Sequence, residues 1–103
     1  MSWYTYVAYF FTGIFLTNGI PHFLHGISGK KFPSPFAKPP GVGESSAVVN
    51  VIWGVVNFAV GYVLIYGVGD FHFGITIDVL MVGLGAIIMA VVLAWYFGRI
   101  RRQ

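Results

Sequence analysis

This chain has no cysteine and only three acidic residues, Glu44, Asp70 and Asp78. The first absence excludes disulfides, thiolate metal sites and cysteine nucleophiles. The second leaves no paired carboxylates for soluble-type acid–base catalysis, and no Gly-rich phosphate loop or Ser-His-Asp set is visible. Charged residues make up 9% of the chain, against about 25% in an ordinary soluble domain. No Lys or Arg precedes Lys30. A cleaved signal peptide needs a basic start, so the first apolar run is expected to be retained as a span.

What fills the chain instead is apolar. Hydrophobic residues account for 57% of the 103 positions, and the mean hydropathy is +0.80. So little charge could not cover a compact surface in water, so the apolar fraction must face lipid. At roughly 20 residues per span, the length suits one domain with three crossings. The expected fold is an all-α membrane protein over residues 1–103. Its spans lie at about 3–25, 47–66 and 75–97, with an interfacial loop at 27–46.

The first run opens on Trp3, Tyr4, Tyr6 and Tyr9, amphipathic rings suited to a headgroup boundary. Pro21 lies inside its helical pattern. Lacking an N–H, it deprives the Thr17 carbonyl of its partner and predicts a kink near residues 17–21. In a membrane that carbonyl needs another donor, for which the Asn18 side chain or a buried water are candidates. The loop holds Lys30, Lys31, Lys38 and four prolines, a density no regular helix survives. Phe32 and Phe36 are its expected apolar anchors, and a serine of Glu44-Ser45-Ser46 is the expected N-cap of the second helix.

In the second run, Asn50, Gly54, Asn57 and Gly61 are spaced four, three and four. They fall within about 60° of one another on one face. Such a face is either a packing surface, where small residues let backbones approach and amides bond across helices, or a ligand or ion site. The third run carries Asp78 near its start and a stripe of Gly83, Ala86, Ala90 and Ala94 expected to pack tightly. It closes on Trp95, Tyr96 and Phe97 before Arg99, Arg101 and Arg102.

All six Lys and Arg lie in the first loop and the C-terminal tail. Three spans put those segments on one side, so the positive-inside rule predicts the N-terminus outside and the C-terminus in the cytoplasm. So strong a bias argues against a dual-topology protein. It also argues against a small multidrug exporter, which would want a membrane-embedded Glu.

The polar groups within the spans are the candidate site. Asn18, His22 and His25 share a helical face. With Asn50 and Asn57 they are expected to form a polar seam between the first two spans, Asn18 standing roughly opposite Gly54. His22 and His25, at i and i+3, could bind a metal with a third ligand from elsewhere, carry protons, or ligate haem. The competing expectation is structural: His22 donates to a carbonyl freed near the kink and His25 sits wet at the interface. At the outer end, Asp70, His72 and Asp78 could hold a cation, or Asp78 could simply complement the helix dipole. Asp78 should lie on the order of 20 Å from His22, which argues against a direct pair. Lys30 and Lys31 suit anionic lipid headgroups, or merely mark topology.

The motif Asn18-Gly-Ile-Pro-His-Phe23, with Gly26, Ser28-Gly29, Phe32, Pro35-Phe36-Ala37 and Pro39-Pro40-Gly41-Val42-Gly43, resembles an uncharacterised family of small bacterial integral membrane proteins. The resemblance implies a bacterial inner-membrane location. It brings no activity, cofactor or partner.

Three functions are consistent with these residues. One is an oligomeric or accessory subunit of a membrane complex, binding a lipid, quinone or metal at the Asn/His seam. The second is an oligomeric channel or transporter lined by the Asn50/Asn57 face. The third is a membrane enzyme or electron carrier using His22 and His25. No nucleic-acid partner is expected, since the net charge of +3 is confined to topology-setting segments.

Overall fold

In the computed structural model, which describes residues 2–101, three long helices dominate. They are α1 (Trp3–Ile27), α2 (Ala47–Gly67) and α3 (Ile77–Arg101), with a two-residue ladder, β1 (Phe32–Pro33) and β2 (Glu44–Ser45), inside the first loop. All three helices are long and apolar enough to cross a membrane. A 25-residue helix reaches about 38 Å, more than the roughly 30 Å of a hydrocarbon core. Arg102, the last of the basic residues, lies outside the described residues.

The helices begin where local chemistry starts them. Ser46 caps α2, its Oγ accepting the Val49 N–H at 3.2 Å and satisfying one orphan donor of the first turn. Thr76 does the same for α3, accepting from the Val79 N–H at 3.3 Å. This cap starts α3 two residues later than the apolar run suggested, and α3 continues through Gly98 to Arg101. α1 carries Pro21 within its helical run.

α1 is the centre of the bundle. It packs on both α2 and α3, whereas α2 and α3 hardly touch each other. Glycine makes the two contacts close. A Cβ on Gly54 would lie 3.0 Å from the Gly19 carbonyl oxygen, and one on Gly19 would lie 2.9 Å from that of Gly54, so these backbones approach as only small residues permit. On the other side, a Cβ on Gly13 would run into the Val82 carbonyl, and one on Gly85 into that of Phe10.

That second contact corrects the expected stripe on α3. Gly83 has nothing near its Cβ direction, and Ala90 and Ala94 are exposed. The buried residues of α3 are Asp78 and Gly85, with Ala86 against Gly13. The expected aromatic belt also divides. Trp95 stays outside, 62% exposed, but Phe97 turns inward onto Phe32, ring centroids 4.7 Å apart.

The first loop is more regular than its prolines suggested. β1 and β2 pair antiparallel, Phe32 opposite Ser45 and Pro33 opposite Glu44. Ser34, 1% exposed, organises the turn: its hydroxyl meets that of Ser45 and accepts the Phe36 N–H, and its carbonyl accepts from Gly41 N at 2.8 Å. Phe32 is the apolar anchor. Phe36, 62% exposed, is not buried; its ring meets that of Trp53 edge-on, centroids 5.1 Å apart.

Candidate functional site

The four buried residues of α2 are Asn50, Gly54, Asn57 and Gly61. The two glycines let α1 come close, and the two amides reach across to it. Asn18 Nδ2 donates to Asn57 Oδ1 at 2.9 Å, and Asn57 Nδ2 donates to the Trp53 carbonyl one turn back at 2.8 Å. Asn18 therefore stands opposite Asn57 rather than Gly54, and its amide goes to that residue rather than to the Thr17 carbonyl. Thr12 extends the seam, its hydroxyl shared between the carbonyls of Ala8 and Gly61.

The second pair sits one level nearer the loop. His22 Nδ1 meets Asn50 Oδ1 at 2.8 Å, with His22 3% and Asn50 0% exposed. Asn50 Nδ2 faces three backbone carbonyls, of Phe32, Ser45 and Ser46, at 3.0–3.2 Å. Carbonyl oxygens only accept, which fixes the nitrogen of the amide on that side. Oδ1 then faces His22, so the imidazole carries its proton on Nδ1. Asn50 thus ties α1, α2 and both strands of the ladder together.

His25 does not join this network. Its Nδ1 donates to the Pro21 carbonyl at 2.7 Å, and its ring stacks on Phe32 with centroids 4.0 Å apart. The expected structural roles are therefore redistributed: His25 bonds a carbonyl within its own helix, and His22 bonds a side chain of α2. The reason is helix geometry, since a side chain at i+4 reaches the carbonyl at i.

Beside His22 lies a pocket of about 150 Å³, lined by Asn18, Trp53, Leu93, Tyr96 and loop residues. It sits in the crevice that α2 and α3 leave over α1, under the loop. Tyr96 closes one side by donating to the Gly41 carbonyl at 2.9 Å. The indole N–H of Trp53 is buried without a partner among the described residues. Ser34, Trp53, Tyr96 and Phe97 were missed by sequence reasoning, because nothing local distinguishes them from ordinary boundary or loop residues.

At the other end, Asp78, 4% exposed, accepts from both the backbone N–H and Nδ1 of His72, at 2.9 and 3.1 Å. Asp70 is exposed and outside this pair. Among the described residues no group of three or more His, Asp or Glu side chains is placed to hold a metal, so the three-residue cation cluster does not assemble. Tyr9, fully buried and edge-on to Phe71 at 5.2 Å, has a hydroxyl with no partner among the described residues. Lys30 and Lys31 are exposed and border a cavity of about 340 Å³ with His25, Glu44 and Arg101.

These features define a class: a helical protein with three candidate membrane-spanning helices, locked by a polar seam between the first two. No protein-family model matches the chain, and it has no match among curated proteins or solved structures.

Proposed function

We propose that this chain is a multi-pass protein of a bacterial inner membrane, its first span kinked at Pro21, its N-terminus outside and its C-terminus in the cytoplasm. It works there as an oligomeric or accessory subunit of a membrane complex. One observation carries this reading. α3 buries only Asp78 and Gly85, while Leu80, Leu84, Ile87, Val91 and Trp95 are each about half exposed or more. At 100° per residue those five fall within about 80° of one another. They form a continuous apolar stripe turned away from α1, suited to a partner helix.

The seam supports the same reading by what it leaves unused. Asn50 and Asn57 are enclosed and bonded within the protomer, so a conduit lined by them has less support. A seam ligand belongs in the pocket beside His22. No carboxylate and no second imidazole line it, so a neutral ring such as a quinone head group suits it better than a metal ion.

The absence of cysteine makes the test direct. In membranes, Ile87→Cys should give a disulfide-linked dimer or a cross-link of fixed stoichiometry to one partner, and Val63→Cys on α2 should not. A chain that stays single in lipid nanodiscs by native mass spectrometry, with no cross-link at either position, contradicts the reading.

A further inference from the structure

Two neighbouring cavities at the loop end share His25, Phe32, Phe97 and Arg101. The first, about 400 Å³, is a groove between α1 and α3 walled by Thr17, Ile20, Pro21, Ala90, Leu93 and Ala94. The second, about 340 Å³, adds Lys30, Lys31 and Glu44. Volumes of this order suit an amphiphile, since ligand sites run to about 300–1,000 Å³ and are mostly apolar with a few fixed polar groups.

We propose that this groove holds an acyl chain of an anionic phospholipid whose phosphate is received by Lys30, Lys31 and Arg101. The small side chains that α3 presents here, Ala90, Ala94 and Gly98, leave the trough, and a Cβ built on Gly98 would meet nothing. Its wall is rigid at the rim: His25 is pinned to the Pro21 carbonyl and stacked on Phe32. Charge selects the headgroup. Three cations face one carboxylate, Glu44. Among the described residues the ion pair present is His72–Asp78, so none of the three rim cations is ion-paired there. On α3 the groove borders the Leu80–Trp95 stripe: at 100° per residue Ala94 lies about 20° from Ile87 and Gly98 falls in line with Leu80, so at this end of the helix lipid and partner share an edge.

The inference rests on the membrane placement proposed above, and its test keeps the two apart. The full chain in mild detergent is offered equal phosphatidylglycerol and phosphatidylcholine and read by native mass spectrometry. Phosphatidylglycerol adducts should dominate, by roughly fivefold for each contributing cation. Arg101→Gln combined with Lys30→Gln and Lys31→Gln should abolish the preference, and Arg101→Lys should keep it. Ala94→Phe should reduce retention of both lipids with helicity and subunit count unchanged, and Ala90→Leu does the same by a smaller filling. Excess inorganic phosphate should not strip the adduct.

Equal retention of the two lipids by a helical, membrane-inserting chain overturns the groove alone. Failure to insert into bilayers overturns the membrane placement with it. A change of subunit number in Ala94→Phe with lipid adducts intact assigns the groove to a second copy instead.

Discussion

His22 and Asn50, 28 positions apart, meet through Nδ1 and Oδ1 at 2.8 Å in the interior of the bundle. Through the same amide group Asn50 also holds the carbonyls of Phe32, Ser45 and Ser46. A single side chain therefore joins α1 to α2 and seats the loop upon both.

His22→Ala should destabilise the protein more than His25→Ala. Removing His22 leaves Asn50 Oδ1 buried and unpaired, at a cost of about 1–3 kcal/mol. His25 is half-buried, and its Pro21 acceptor remains available to the helix ladder. Reversible unfolding in detergent compares the two variants; equal losses would count against the arrangement.

Asn18 and Asn57 should be energetically coupled. Interhelical hydrogen bonds in membranes average about 0.6 kcal/mol and reach about 1.7. A double-mutant cycle with Asn18→Leu and Asn57→Leu should give a coupling in that range. A value indistinguishable from zero would mean that the 2.9 Å bond contributes nothing.

Gly85→Leu should break the α1–α3 contact, since even a Cβ at Gly85 meets the Phe10 carbonyl. Overpacking of this kind costs about 1–3 kcal/mol or more. Gly83→Leu, two residues away and facing open space, should be tolerated. Thermal melts of the two variants settle the face of α3 that meets α1.

Tyr96→Phe should loosen the loop without unfolding the helices. The hydroxyl holds the Gly41 carbonyl at 2.9 Å, and a bond of this kind is worth about 0.5–1.5 kcal/mol net. Hydrogen exchange should rise between Ser34 and Gly43 and stay unchanged in α2. Unchanged protection in the loop would remove Tyr96 as its clasp.

The sequence was most legible where polarity gave contrast. Asn50, Gly54, Asn57 and Gly61 stand out against an apolar helix, and they are the residues α2 buries. α3 offers no such contrast: between Asp78 and Arg99 it is apolar on every side, so its small residues do not say which side meets α1, and the spacing points to Gly83 where the contact is made by Gly85. The histidines were placed on the correct helix, but their spacing could not tell Asn50 from a backbone carbonyl as the partner of His22. The prolines of the loop rightly excluded a helix. The ladder of Phe32–Pro33 with Glu44–Ser45 and the reach of Tyr96 to Gly41 depend on residues far apart in the chain, which no local pattern encodes. Proximity in sequence groups the outer acids, but only Asp78 is buried and bonded to His72, while Asp70 is exposed.

The most direct test is the proton position on His22. Three carbonyls fix the orientation of the Asn50 amide, so its oxygen faces His22 and the imidazole must donate from Nδ1. Nitrogen-15 NMR of labelled protein in bilayers, with His22→Gln to assign the signals, should show a His22 ring protonated at Nδ1 and hydrogen-bonded, lost in Asn50→Leu. A His22 ring in the Nε2–H form, or one indifferent to Asn50→Leu, would contradict a seam closed between α1 and α2.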